Sequence, residues 1–327
     1  MANAAYLTGE EPLNFTAFAA ALEQGHSTQV GIDQDETFMN DLEPYVFSVI
    51  AMQSDVLMHS QMLRAPDQAS VLDAQECEVR GLEDKQVFQY VQKGDLPKSA
   101  RLLNAVWSYR RKRRPPDGTL WKHKANLCVD GSRQLPGLDY TDYTESFAPI
   151  VQWSTVRLVM ILVSMLNLES RQIDFTQAFT QADIEEDIYM RLPQGWQVDD
   201  TDNWCIKLKK NLYGLVQASR SWYKTLSAVF ISMGFKQSSH DPCLFLRDDC
   251  MIVLYMDDCC IFAPNTAVID QLINTLRSAH QLKMSDPAPV EDFLGIHIEK
   301  QSDGTTHLTQ QGLIDSILMD LHFFRKR

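Results

Sequence analysis

The chain contains no Lys or Arg before Arg64. Phosphate binding runs mainly on Lys and Arg, so this acidic stretch need not describe the working domain. Cysteine occurs seven times, never as CxxC and never with His at metal-ligand spacing. That excludes a zinc module and a disulfide framework, and it fits buried thiols in a reducing, intracellular and cytoplasmic setting. No basic segment followed by an apolar core opens the chain, so a signal peptide is not expected. The longest apolar stretch, Val156 to Leu168, is interrupted by Arg157 and falls short of the ~20 residues of a membrane span. Internal repeats are also missing.

What is present is ordinary globular material. Hydrophobic residues make up 45 % and charged residues 22 % of 327 residues, which excludes wholesale disorder and leaves room for two domains or subdomains. The net charge of −13 argues at first against a nucleic-acid partner. It is unevenly spread. Residues 1–100 hold sixteen acids against five bases, whereas 101–327 hold twenty-seven against twenty-five. Residues 1–75 therefore read as an acidic linker or tail, partly disordered, with short helices around Phe15–Leu22 and Val46–Met58. A single domain is expected over 76–327.

Within that domain the patterns alternate between helix and strand. Arg110 to Arg114 is a run of five cations, and Pro115-Pro116-Asp117-Gly118 is a turn signal before an alternating segment, Thr119 to Val129. A hairpin with a basic arm follows. Ser154 is placed to cap a helix with Val156, Val159, Met160 and Val163 on one face. Leu168–Phe175 reads as a strand and Gln217–Met233 as a helix. Leu244–Leu246, Met251–Tyr255 and Cys259–Phe262 read as strands. Ile269, Leu272, Ile273 and Leu276 mark a helix. Phe293–Glu299 and Thr306–Thr309 flank Asp303-Gly304, a hairpin signal, and a last helix carries Ile314, Ile317, Leu318 and Leu321. The fold class is α+β, an antiparallel sheet backed by helices.

Chemistry concentrates at Asp257-Asp258. Two other Asp pairs, Asp199-Asp200 and Asp248-Asp249, sit in polar surroundings. Asp257-Asp258 is enclosed by the apolar runs Met251–Met256 and Cys259–Phe262. Two carboxylates on a hairpin at the rim of a buried sheet repel each other and resist ionisation. A divalent cation relieves both effects, and hard carboxylate oxygens suit Mg²⁺. An ordinary acidic turn is the competing reading. Asp174 lies at the end of a strand, where an N-cap role is the simpler account. Brought together with Asp257, it would complete a three-carboxylate site suited to two-metal phosphoryl transfer. That reading requires Asp174 and Asp257 to converge within one metal shell.

Here the chain resembles a family. Tyr255-Met-Asp-Asp258 is similar to the active-site signature of reverse transcriptases. From Cys77 to Leu321 the chain resembles the polymerase region of copia-type (pseudovirus) LTR-retrotransposon polyproteins. The matching blocks run in order. They are Trp107 with Lys112-Arg113 and Asp117-Gly118, Lys122-His-Lys-Ala125, Glu145-Ser-Phe-Ala-Pro149 and Asp174-Phe-Thr-Gln-Ala-Phe179. Then follow Ile188 to Gly195, Tyr213-Gly-Leu215 with Gln217-Ala218, Asp241-Pro-Cys243, the Asp257-Asp258 signature and Phe293-Leu-Gly295.

The resemblance implies a right-hand polymerase fold. Fingers would span about 100–150 and 180–203, palm about 151–179 and 204–300, and a truncated thumb about 301–327. It implies RNA-directed DNA synthesis with an RNA or DNA template, a primer and dNTPs, using two Mg²⁺ ions with Mn²⁺ as an alternative. Asp174, Asp257 and Asp258 match the family's catalytic and metal-binding aspartates. Phe179 matches the aromatic gate against a ribose 2′-hydroxyl, with core packing as the plainer alternative. Gln194 matches the glutamine of the dNTP pocket, and Lys122 and Lys124 the strand that meets the triphosphate. Tyr255 and Met256 match residues at the nascent pair. Phe293-Leu-Gly295 matches the primer grip, and Lys283 is a candidate acid for pyrophosphate. Lys207, Lys209 and Lys210 form a further small cationic patch. No membrane partner is expected.

Two departures stand out. Asn126 and Val216 replace what are usually Arg and Lys in the family. RNase H, integrase and protease features are missing. A catalytically inactive nucleic-acid-binding relic is therefore the alternative function. An RNA-dependent RNA polymerase is a third reading, opposed by the bulk of Phe179.

Overall fold

In the computed structural model, which describes residues 55–113, 119–140, 146–196, 201–301 and 305–320, the apolar runs around Asp257-Asp258 become neighbouring strands of one sheet. The expected helices at Phe15–Leu22 and most of Val46–Met58 lie outside the described residues. So do Glu145 and the Pro115–Gly118 and Asp303-Gly304 turns. The described residues fall into two compact units, one holding Pro149–Thr176 and those from Leu226 onward, the other those before Pro149 and Gln177–Thr225.

The unit that carries the aspartates is built on a five-stranded antiparallel sheet. Its strands are β6 (Glu169–Asp174), β9 (Lys236–Gln237), β10 (Leu244–Arg247), β11 (Cys250–Tyr255) and β12 (Asp258–Ala263), in the order β6-β12-β11-β10-β9. Residues 250–254 and 259–263 are buried without alternation, so both faces of the central strands are covered. Each large side chain buried here, such as Phe245, Ile261 or Phe262, contributes about 1.5–3 kcal/mol. Cys243, Cys250, Cys259 and Cys260 are free and buried among them, as small hydrophobes.

Helices cover this sheet. α3 (Trp153–Met165) buries Val156, Val159 and Met160 on the expected face. Its N-cap is Gln152, not Ser154. The backbone N–H of Gln152 donates to Asp241 Oδ2 at 2.9 Å, which fixes the chain's entry earlier than the Ser signal suggested. α4 (Ala218–Ser232) ends at Gly234, whose φ of +87° suits glycine. The Phe230 ring of α4 meets Phe245 of β10 at 5.1 Å. α5 (Thr266–Ser278) begins at an N-cap, Asn265, which accepts from Val268 N at 3.2 Å, and buries Ile269, Leu272, Ile273 and Leu276.

The strand expected over Phe293–Glu299 is broken in two. β13 (Asp292–Phe293) and β14 (Ile296–Lys300) pair across a two-residue turn, Leu294-Gly295, with φ of 54° and 76°. Positive φ at both turn residues is the hairpin-compatible geometry. Leucine is not a turn former, which is why the sequence concealed this turn. β14 then pairs with β15 (Thr306–Thr309), and α6 (Gln311–Asp320) follows.

The second unit contains β1 (Val56–Leu57), α1 (His59–Met62), α2 (Gln68–Asp84), β2 (Phe88–Gln92), β3 (Leu102–Leu103), β4 (Ala105–Arg113), β5 (Leu120–Val129), β7 (Tyr189–Arg191) and β8 (Trp204–Leu208). The basic hairpin is present as antiparallel β4 and β5, and β1 adds to its free edge. Residues 55–75, part of the expected acidic tail, form β1, α1 and the start of α2. β8 pairs with β2 and β7 in this unit.

Two glycines permit a close backbone crossing. Gly214, at φ +90°, brings its backbone so near β5 that a Cβ would sit 2.0 Å from the Val129 carbonyl oxygen. A Cβ on Gly131 would meet the Gly214 carbonyl at the same distance. Val129 N donates to Tyr213 O at 2.8 Å across that crossing. The buried amides of Gln134 and Gln217 bond each other at 3.0 Å, and Gln134 Oε1 accepts from Val216 N at 2.8 Å. Among the described residues, no helix is long and apolar enough to cross a membrane.

Candidate active site

Register brings the aspartates together. On adjacent antiparallel strands Asp174 lies directly opposite Asp258, the last residue of β6 against the first of β12. Directly opposed residues share a face, with Cβ atoms ~4.5–5.5 Å apart. Asp257 sits in the two-residue turn between β11 and β12, closed by the Tyr255–Asp258 pair. Met256, the other turn residue, has φ 54° and is 37 % exposed, so this hairpin tip is strained for a side chain with a Cβ. Phe175 N donates to Asp257 O at 2.9 Å and ties the two segments.

The electrostatics follow from that crowding. Burial, then the Asp257 and Asp174 charges, push the Asp258 carboxyl up to about 6, while a bond from Gln172 pulls the other way. Gln172 Nε2 donates to Asp258 Oδ1 at 3.4 Å. The sequence reading passes over Gln172, although it precedes Asp174 by two and therefore shares its face of β6. Segment 283–288 lies along β6. Asp174 N donates to Ser285 Oγ at 3.0 Å, Ser285 N to Asp174 O at 2.8 Å, and Thr176 N to Lys283 O at 3.0 Å. Arg277 holds this segment through Ser285 O and Asp286. Ser285 carries no local sequence signal, because its role arises from a contact 111 residues away.

The cluster suits a divalent cation in its chemistry. It offers hard oxygens, and mutual repulsion disfavours the ionised form of Asp258. As the side chains stand, no group of three His, Cys, Asp or Glu among the described residues is drawn together as a metal site. What is present is the opposition of Asp174 and Asp258 beside Asp257.

Of the other predicted site residues, Tyr255 and Met256 lie on the hairpin and Lys283 and Phe293–Gly295 in the same unit, whereas Lys122, Lys124, Phe179 and Gln194 lie in the second unit. Lys122 and Lys124 project from one face of β5, opposite Lys112 and Arg110 of β4. Like charges directly opposed across a strand pair destabilise each other, so this face favours a polyanion. Asn126 continues the same face, opposite Ser108. The neighbouring residues of the basic run point the other way. Arg111 makes a two-pronged ion pair with Asp67, 2.7 Å at each prong, and His123 Nε2 lies 2.7 Å from the same carboxylate. The Arg111 guanidinium holds the Asp67 carboxyl far below the usual range. Arg113 pairs in the same manner with Asp55. The expected five-cation arm is thus split, and two of its arginines are bound to acids of residues 55–67. Lys207 and Lys210 of the smaller cationic patch pair with Asp187 and Asp183. Phe179 is 9 % exposed and packs on Tyr213 with ring centres 4.8 Å apart. Gln194 is exposed, and its carbonyl accepts from Trp107 Nε1 at 3.2 Å.

The chain is similar to known proteins. Residues 85–325 match the family model described as reverse transcriptase (RNA-dependent DNA polymerase). The chain is 30 % identical over 264 residues to the retrovirus-related Pol polyprotein from transposon TNT 1-94 of Nicotiana tabacum, covering 79 % of this chain and 19 % of the relative. It is 31 % identical over 226 residues to that from transposon RE1 of Arabidopsis thaliana, covering 68 % of this chain and 15 % of the relative. The transposon Ty1-ER2 Gag-Pol polyprotein of Saccharomyces cerevisiae is 30 % identical over 212 residues, covering 62 % of this chain and 11 % of the relative. The chain thus spans a fifth or less of these relatives' length. With the family match running over most of its length and Asp174 set opposite Asp258 on adjacent strands, the chain belongs to the reverse transcriptase family.

Proposed function

We propose that the chain is the polymerase portion of an LTR-retrotransposon reverse transcriptase, extending a primer with dNTPs on an RNA or DNA template. The observation that carries this reading is the register that sets Asp174 opposite Asp258 beside the Asp257 turn. Asp174, Asp257 and Asp258 would hold two Mg²⁺ ions, which when bound supply positive charge to the attacking hydroxyl and the leaving oxygens. Gln172 orients the Asp258 carboxylate. Met256 and Tyr255 present the hairpin tip to the primer end. Arg110, Lys112, Lys122 and Lys124 bind phosphate, and Phe179 and Gln194 line the nucleotide sugar. In right-hand terms, the unit around β6, β11 and β12 serves as palm, and the β4–β5 hairpin belongs to the fingers.

Primer extension on poly-rA with an oligo-dT primer tests this reading. Incorporation of dTTP that requires Mg²⁺ supports it. Strong, salt-sensitive oligonucleotide binding with incorporation at background would instead favour the inactive relic. In the same assay, Phe179→Ala is expected to raise rNTP use relative to dNTP by at least about tenfold. An unchanged ratio would remove Phe179 from the sugar site.

The cationic face gives a separate prediction. Each phosphate neutralised on a single strand contributes ~0.7 to the slope of log affinity against log salt. The double variant Lys122→Ala/Lys124→Ala is expected to flatten that slope by about 1.4, read by fluorescence anisotropy with a labelled single-stranded oligonucleotide. An unaltered slope would show that phosphate lies elsewhere.

A further inference from the structure

The turn after Asp174 depends on a residue that neither helix propensity nor turn chemistry accounts for. Gln177 sits in the left-handed region, φ 51° and ψ 53°, where residues other than Gly and Asn are uncommon. Its side-chain amide is gripped at both ends. Nε2 donates to Glu78 Oε2 at 2.8 Å, and Oε1 accepts from Lys85 Nζ at 2.6 Å. A lysine donor gives the stronger class of hydrogen bond, while burial pushes the Glu78 carboxyl up and the bond from Gln177 pulls it back down. Glu78 lies in α2 and Lys85 is its C-cap, seven residues apart and so on one face. Gly81 lies between them. A Cβ there would stand 3.8 Å from Gln177 Nε2, so the amide lies against the helix backbone.

The backbone of Gln177 then starts the next turn. Its carbonyl accepts from Thr180 N at 3.0 Å and from Thr180 Oγ1 at 2.8 Å. That closes the 3-10 turn Ala178–Gln181, which carries Phe179 onto Tyr213. We propose that Gln177, clamped by Glu78 and Lys85, is a positioning residue that fixes the Phe179 ring and thereby sets discrimination between deoxyribose and ribose. The inference rests on Phe179 facing the nucleotide sugar. The grip on the amide holds the left-handed backbone, that backbone directs the turn, and the turn aims the ring.

Gln177→Met keeps the side-chain length and removes both hydrogen bonds. In primer extension it is expected to lower the ratio of KM for rNTP to KM for dNTP by about fivefold, with kcat for dNTP little changed. Gln177→Gly, which adopts the left-handed backbone freely, is expected to recover part of that ratio. An unchanged ratio, or an equal loss with both nucleotides, would overturn the proposal. Amide hydrogen exchange in the full chain supplies a readout that needs no activity. The Thr180 and Ala182 amides of Gln177→Met are expected to exchange at least about tenfold faster than those of the wild type. Unchanged protection would overturn the clamp even in an active enzyme. A wild-type chain that fails to extend primers would count against the polymerase reading, while hydrogen exchange would still decide the clamp.

Discussion

Asp258→Asn is expected to leave primer extension at about a thousandth of the wild-type rate, a loss near ~4 kcal/mol in the barrier, while making the protein without divalent ions more stable at neutral pH. The two effects share a cause. In the folded chain the Asp258 carboxyl titrates at about 6 against an ordinary 3.8, because burial and the neighbouring aspartates oppose its charge. A raised carboxyl pKa means that the folded state binds more protons than the unfolded state between those values. Stability therefore falls as pH rises from about 4 to 6, and the penalty is complete above 6. Asn carries no charge and escapes it. After allowance for solvent at a partly exposed group, the gain should be about 1 kcal/mol, or roughly 2–3 °C in melting temperature at pH ~7.5. At pH ~3.5, below both values, the difference should vanish. A variant that melts with the wild type at both pH values would contradict the electrostatic account, and one that still extends primers at full rate would contradict the site.

Gly214→Ala should be among the most damaging single changes in the chain. Its Cβ would meet the Val129 carbonyl at 2.0 Å, and its φ of +90° is closed to a residue with a Cβ. Neither β5 nor the turn at Gly214 can yield without losing the Val129 N to Tyr213 O bond. We expect a loss of at least about 4 kcal/mol, seen as insoluble expression or a collapsed urea midpoint. Gly312→Ala supplies the contrast. Gly312 lies in α6 with nothing within 4 Å of a Cβ. Alanine there should stabilise by up to about 1 kcal/mol. Equal midpoints for Gly214→Ala and the wild type would mean that the crossing is looser than described.

Much of the aspartate-bearing unit was legible in the sequence, because its strands are short apolar runs and its helices keep a 3.6-residue period. Asp257-Asp258 stood out by contrast with its surroundings. The opposition of Asp174 and Asp258 was not legible, since register between strands far apart in the chain is a property of the sheet. Leu294-Gly295 hid a turn behind a leucine. Arg111 and Arg113 belong to one basic run in the sequence, and only strand alternation separates them from their neighbours. Alternate residues of β4 face opposite ways, so one set pairs with Asp55 and Asp67 while Arg110 and Lys112 share a face with Lys122 and Lys124. For the same reason, the acidity of the first hundred residues does not exclude nucleic-acid binding. Part of it neutralises the chain's own arginines.

The central claim is that Asp174, Asp257 and Asp258 form a repulsive carboxylate cluster that a divalent cation completes. Its most direct test is a carboxyl-carbon NMR titration of Asp258 with and without Mg²⁺. Without the ion, the midpoint should lie at about 6. Saturating Mg²⁺ should move it down to or below the ordinary Asp value of ~3.9, because bound positive charge favours the ionised form. A midpoint that stays in one place whether or not Mg²⁺ is present would contradict the account.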